Sequence, residues 1–458
     1  MTPQRLRAPA ADGGVLAEPP LDRGGALLAE NGARLARWDH DFQGRRAGWL
    51  RELARRQVLD RARAFLTAAG LDLPDGDDPP RHLVLTGHQP ELFHPGVWVK
   101  NFAAAALARP GGGAGLNLIV DNDVPKSAAI RVPRREGTRL RAVPVEFDDW
   151  ATGEIPYEDL AVHDEARFAS FGARVRATLG DAVADPLIEE FWPRARAASG
   201  WTDRLGLRLA AARRGVEASW GLRNWEVPLG RVCETEAFLW FAAHLLAHLP
   251  RFQMVHNEAL ERYRAAYGIR SRHHPVPALG AQGEWREAPF WAWRAERPRR
   301  RPLLVRQLPR TMQLRIAGEE DLLLELPLHP GAEACCAVER LCTLPGRGVR
   351  LRTRALTTTL FARLLVSDLF LHGIGGAKYD ELGDEVVRGF FGIEPPAFLT
   401  LSMTLWPGLG AEAATPEELA EIDRRLRDLT FNPDRHLNGP VPAEVRDLVQ
   451  AKRRAIAA

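Results

Sequence analysis

Apolar positions fall into two patterns along this chain: short runs that stop abruptly, and longer stretches with helical spacing. Leu50, Leu53, Ala54, Val58, Ala62, Phe65 and Leu66 recur at three- and four-residue intervals, which predicts a helix over 49–69 closed by Gly70. The run His82-Leu83-Val84-Leu85 predicts a strand ending in Thr86-Gly87. A polar loop, 88–96, leads into a predicted helix over 97–107, where the alanines at 103–106 favour helix. The next apolar run, 116–120, stops at Asp121-Asn122-Asp123. Strand, loop, helix and strand in that order form a βαβ unit, and such units build parallel sheets.

Beyond about residue 150 the spacing becomes mostly helical, over 162–179, 186–198, 234–249 and 258–267. Eight of the 13 tryptophans lie between Trp192 and Trp293, which suggests an inserted subdomain with its own core. Strand-like runs return at 290–293, 303–307 and 312–316. A helix over 356–366, a strand over 369–371, a helix over 379–391 and a strand over 398–406 would complete the sheet. Thr415-Pro416-Glu417-Glu418 combines an N-cap, a proline at the first helical position and a capping-box glutamate. It opens the first of two short terminal helices, 417–429 and 443–456. The expected organisation is an irregular arm over 1–44 and a helix, completing 1–74, then the first part of an α/β core, 75–150. A mainly helical insertion (151–300), the second part of the core (301–410) and a helical hairpin (411–458) follow.

Length and composition fit that picture. At 458 residues, two or three lobes are expected. The longest apolar run, 238–249, is interrupted by His244 and His248 and falls short of the roughly 20 residues a membrane span needs. No apolar leader follows Met1, so the expectation is a cytoplasmic protein without a membrane partner. Cys233, Cys335, Cys336 and Cys342 form neither a disulfide framework nor a zinc pair. A net charge of +3, without an aromatic–basic stripe, argues against nucleic acid. The cations themselves are more telling: four lysines (Lys100, Lys126, Lys378, Lys452) stand against 58 arginines. Three of those lysines sit in or beside polar segments at strand ends, either by chance or because those positions need an ammonium, which arginine does not replace.

Those segments carry the candidate chemistry. Thr86-Gly87-His88-Gln89-Pro90-Glu91-Leu92-Phe93-His94-Pro95-Gly96 follows a strand, where ligands of open α/β sheets bind, and leads to a helix start suited to an anion. His88, Gln89 and His94 would act in the reaction, a histidine being the candidate general base, with Thr86, Gly87 and Lys100 binding. The same stretch also reads as an ordinary solvated turn, and H-x5-H lacks a third ligand, so no zinc is expected. Asp121 and Asp123 suit either Mg²⁺ with a phosphate or an Asx turn, with Lys126 beside them. His372-Gly373-Ile374-Gly375-Gly376-Ala377-Lys378-Tyr379-Asp380 suits a phosphate cradle, although neither a Walker A loop nor a dinucleotide fingerprint is met. There His372, Gly373, Gly375, Gly376, Lys378 and Tyr379 are the binding candidates. The segment 270–275 is a basic spot or a solvated loop, and Arg299-Arg300-Arg301 reads as an exposed charge run.

At these residues the chain resembles the cysteine-adding enzyme family of bacillithiol biosynthesis. The family loop G-Q-Q-x-G-L-F-T-G-P is matched at Gly87, Gln89, Leu92 and Phe93 without a gap, with His94 at its threonine. The segment P-P-x-x-x-x-L-S-x-T-L is met by Pro395, Pro396, Leu401, Ser402, Thr404 and Leu405, which adds Ser402 to the binding candidates. The turn 372–379 is similar to the family's Y-I-G-G-P-G-E segment, shifted by about one residue. Of the family's acidic loop S-E-D-H-D-F-D, only Asp123 fits. The resemblance, in patches over roughly 80–406, implies a Rossmann-like (nucleotidylyltransferase-like) core with an inserted connecting region. It also implies bound nucleotide (ATP or ADP), a homodimer, and amide formation between cysteine and the amino group of glucosaminyl malate. The residues support a ligase or transferase passing a carboxylate to an amine of a small-molecule substrate. Rival readings are a Mg²⁺-dependent nucleotidyl- or glycosyl-transferase using Asp121 and Asp123, and a non-catalytic nucleotide- or sugar-binding protein.

Overall fold

The computed structural model describes residues 6–76, 79–137, 139–149, 154–409, 415–437 and 442–457. They fall into two units, Met1–Pro407 and Gly408–Ala458. The first is α/β and is built on a six-stranded, mostly parallel sheet. Its five parallel strands are, in chain order, Leu83–His88, Ala114–Ile119, Trp225–Pro228, Leu369–His372 and Phe398–Met403. In space they lie in the order 3-2-1-4-5, with Val15–Glu18 antiparallel on the outer edge of the fifth. The order therefore reverses between Leu83–His88 and Leu369–His372, which pair directly through Leu371 and Thr86.

Continuous apolar runs make these strands because both faces are covered. Leu83 and Leu85 pack with Leu116, Leu118 and the helix Ala47–Ala68 in the main core. Val84 points the other way, with Leu371, Leu399 and Ala104 of the helix Pro95–Ala108. Alternate residues of one run thus serve two cores, and a polar substitution at any of the three would strand an unpaired group.

Several expected elements differ. The arm over 1–44 is not irregular: it supplies the edge strand and a helix, Gly24–Ala36. Leu27, Asn31 and Leu35 of that helix are buried at four-residue spacing, a signal diluted by glycine and alanine. Asn31 fastens it by donating to the carbonyls of Asp368 and Ala397, both at 2.8 Å. The stretch expected to be helical, 151–300, holds Glu165–Leu179, Ile188–Ala197, Leu205–Ser219, Glu236–Ala247 and Leu249–Tyr267. It also lends Trp225–Pro228 to the parallel sheet. The strands near 303–307 and 312–316 do not extend the parallel sheet. Arg297–Gln307 and Met312–Ile316 join Trp285–Arg294, Leu324–Leu326 and Val349–Thr353 in a separate antiparallel sheet. A hairpin, Ala129–Glu136 with Arg139–Glu146, completes the strands.

The second unit carries the helices Pro416–Phe431 and Ala443–Ala457. The capping box at Thr415 and Glu418 is formed. Lys452 donates to the Phe431 carbonyl at 2.9 Å and so links the two helices. Among the described residues no helix is long and apolar enough to cross a membrane.

Candidate functional site

A cavity of about 770 Å³ opens at the carboxyl ends of Leu83–His88 and Leu369–His372, where the strand order reverses. Open α/β sheets bind ligands at that place, because the two neighbouring strands send their connections to opposite faces and leave a crevice. The cavity is lined from one side by Gly87, His88, Gln89, His94 and Lys100, and from the next strand by His372, Gly373, Gly375, Gly376 and Tyr379. Asp123, Lys126 and Ser402 also face it. Sequence-predicted residues from four separated segments thus come together.

Lys100 sits one turn into the helix Pro95–Ala108 and is only 3% exposed. Its ammonium donates to the Gly87 carbonyl at 2.9 Å and meets no carboxylate among the described residues. Burial without a counter-charge pulls its pKa down to about 8. Burial, and then the Lys100 charge, push His88 down to about 4, so its imidazole is neutral at physiological pH. His88 Nδ1 lies 3.1 Å from the Gln89 carbonyl. Gln89 in turn donates to Asp123 Oδ2 at 2.8 Å, which connects the first loop to the second strand end.

His372 is the better oriented histidine. Its Nε2 lies 2.6 Å from Asp380 Oδ2, and Asp380 also accepts from Thr359 Oγ1 (2.7 Å) and Arg363 Nη1 (2.8 Å). Burial alone would raise the Asp380 carboxyl, but Arg363 and His372 outweigh it and hold it well below the usual carboxylate range. For His372 burial dominates over the attraction of Asp380, so its pKa is lowered and the ring stays neutral. A neutral imidazole whose Nε2 is held by a carboxylate keeps Nδ1 as an acceptor, the arrangement of an oriented general base. Burial, followed by Asp380 and Asp123, pushes the Tyr379 phenol up.

The three glycines after His372 do not form a loop. Gly373 is the N-cap of the helix Ile374–Val386, and Gly375 and Gly376 lie in its first turn. The helix starts five residues before 379, and of the three glycines only Gly376 is required by close packing, since a Cβ on Gly373 or Gly375 would meet nothing within 4 Å. A Cβ on Gly376 would stand 2.7 Å from His372 Nδ1. Gly96 is similar, since a Cβ there would meet the His94 ring, the Met403 carbonyl and Ser402 Oγ at 3.0 Å each.

Three candidates do not take the places expected of them. Thr86 is fully buried and donates to the Leu371 carbonyl at 3.1 Å, stitching two strands rather than facing the cavity. Lys378 is exposed on its helix and lies outside the cavity lining. Asp121 and Asp123 have separate partners. Asp123 is held by Gln89 and by Arg300 Nη1 at 2.8 Å, whereas Asp121 accepts from the Gly230 amide at 2.8 Å. Burial and the neighbouring Glu158 raise the Asp121 pKa, which favours the protonated form. The two carboxyls therefore do not fit a shared Mg²⁺. Among the described residues no cluster of three histidine, cysteine or acidic side chains is arranged for a metal.

The opposite wall was not foreseen. Trp291, Arg300 and Arg354 face the cavity from the antiparallel sheet and its end, together with Thr353, Thr357, Thr358 and His256. Arg300 and Arg354 lie 5.5 and 4.1 Å from the Trp291 ring centre, within cation–π range. Arg354 is anchored by Glu287 at 2.5 Å. Arg300 belongs to the run 299–301, but strand alternation leaves Arg299 and Arg301 exposed and turns Arg300 inward. Three like residues in a row carry no alternation in the sequence, so the inward turn of Arg300 was not legible there. Lys100, Lys126, Arg300 and Arg354 line the cavity against only Glu91 and Asp123, so cations outnumber carboxylates by two. Such a surplus in a partly desolvated space favours an anionic ligand.

Neither a protein-family model nor a curated protein sequence matches the chain.

Proposed function

We propose that the chain is a cytoplasmic carbon–nitrogen ligase or transferase with a Rossmann-like core, related to the cysteine-adding enzymes of bacillithiol biosynthesis. The observation that carries this reading is the cation surplus at the point where strand order reverses, beside a neutral histidine oriented by a buried carboxylate. A carboxylate or phosphate group of the substrate binds among Lys100, Lys126, Arg300 and Arg354. A carboxyl group activated there is attacked by an amine; the carbon–nitrogen bond forms, the leaving group departs, and the nitrogen loses a proton. His372, or His88 on the opposite side, takes that proton. Both are neutral at physiological pH, which a base must be before it accepts one. The order of the five parallel strands, 3-2-1-4-5, supports the Rossmann-like assignment. Activation by ATP is part of the proposal, with no step assigned to Asp121.

A thermal-shift panel of nucleotides, cysteine and amino-sugar conjugates tests the reading, followed by mass spectrometry of mixtures of the hits. The expected result is stabilisation by an anionic substrate and a product equal to two substrates less one water. Stabilisation without any condensation product would instead make the protein a binding protein.

A further inference from the structure

Five arginines and one lysine are buried among the described residues; Arg208 and three further arginines meet carboxylates, whereas Arg214 donates to the carbonyls of Asp72, Leu222 and Asn224. Arg213 lies 2.9 and 2.7 Å from Glu217 and Glu226, Arg352 lies 3.0 and 2.8 Å from Glu158 and Glu234, and Arg363 lies 2.8 and 2.6 Å from Asp380 and Asp384. Lys100 differs from them in kind and in its bonding. It is a lysine in a chain that has only four, and among the described residues its one hydrogen bond is to a carbonyl. An ammonium has three donors, so two remain for whatever enters the cavity. Unlike a guanidinium, it can also lose its proton. Among the described residues its charge acts on His88, at the end of the strand before its helix, and on His372 of the neighbouring strand. Neither is a carboxylate that would hold the proton on nitrogen.

We infer that Lys100 is an amine nucleophile toward carbonyl compounds, and that the cavity accepts a small oxo acid whose carbonyl carbon meets Lys100 Nζ while its carboxylate lies between Arg300 and Arg354. The neutral amine attacks the carbonyl carbon, a C–N bond forms, and the C=O π pair moves to oxygen, which takes up a proton. The carbinolamine then loses its hydroxyl as water. The C–O bond breaks, the nitrogen gives up its remaining proton, and an imine is left. His372, neutral and fixed by Asp380, carries the proton between nitrogen and oxygen. Burial supports the first step, because a lysine lowered to about 8 holds on the order of 100-fold more neutral amine at neutral pH than an exposed one. This inference rests on the cavity and not on amide formation.

The remaining lysines make the test selective, because Lys126 and Lys378 are exposed and serve as references in the same molecule. The full-length protein is treated with glyoxylate and sodium cyanoborohydride near neutral pH, and its peptides are mapped by mass spectrometry. Reduction of the imine leaves a carboxymethyl group on the reacting amine. The expected result is at least about tenfold more label on Lys100 than on Lys126 or Lys378, allowing for the weaker nucleophilicity of a less basic amine. Lys100→Arg should lose that label while keeping the melting temperature, and the references within the wild-type chain suffice if the variant fails to fold. Equal labelling, or labelling that favours Lys126 or Lys378, would overturn the inference. Condensation product without a Lys100 adduct would refute the nucleophile alone, and the reverse pattern would refute the ligase reading alone.

Discussion

Replacing Lys100 with methionine should stabilise the protein at neutral pH while weakening its affinity for anions. Methionine keeps a similar unbranched shape but needs no hydration. Burial lowers the lysine from 10.5 to about 8, a drop worth about 3 kcal/mol against the folded state whenever the group is protonated in both states. Losing the hydrogen bond to the Gly87 carbonyl costs about 1 kcal/mol. The variant should therefore be more stable than the wild type by about 2 kcal/mol near pH 7. The sign follows from proton binding. Between about 8 and 10.5 the unfolded chain holds the Lys100 proton more tightly than the native one, so wild-type stability gains on the variant as pH rises. Urea unfolding of both proteins from pH 7 to 10 measures the difference at each pH. The variant's advantage should shrink steadily and vanish by about pH 10, where the remaining burial penalty of about 1 kcal/mol is offset by the lost hydrogen bond. Titration with a carboxylate or phosphate ligand should raise the melting temperature of the wild type more than that of the variant, in which Lys126, Arg300 and Arg354 remain. A variant less stable at pH 7, or a difference that does not change with pH, would refute the picture of an uncompensated buried amine.

Other sites give sharper local tests. Asp380→Asn removes the carboxylate shared by Arg363 and His372, and should cost about 3–5 kcal/mol in urea unfolding at neutral pH. Because the Asp380 pKa is held below its unfolded value, that contribution is present above about pH 4 and fades as pH falls further, so wild type and variant should converge in acid. Gly376→Ala would place a methyl 2.7 Å from His372 Nδ1, and should weaken calorimetric ligand binding about tenfold with the fold retained. Asp121→Asn should change stability by less than about 1 kcal/mol, since the native carboxyl is already biased toward its neutral form. A loss of metal-dependent turnover in that variant would revive the Mg²⁺ reading.

The sequence made one half of the cavity legible. Leu83-Val84-Leu85 and Leu369-Phe370-Leu371 could be read as buried strands because both faces of the sheet are covered, and the polar residues that follow each run marked its end. Loop and helix were harder to separate at 373–376. Glycine suggests flexibility locally, but here the segment is helical, and at Gly376 the missing side chain makes room for the His372 ring. The second wall was hidden for another reason. Trp291 and Arg300 lie on a local hairpin, but Arg354 joins them only through the distant pairing of Val349–Thr353 with Trp285–Arg294, and no local period announces which sheet a strand will join. Asp121 and Asp123 show the limit of spacing: on an extended strand residues i and i+2 would share one face, but these two lie in a turn and take separate partners.

Hydrogen exchange of the wild-type protein, with and without the best stabilising ligand, tests the central claim most directly. The account predicts protection on both walls together, at residues 87–97 and 372–379 on one side and 291–300 and 353–358 on the other. Protection confined to the terminal helices Pro416–Phe431 and Ala443–Ala457, or absent from both cavity walls, would contradict it.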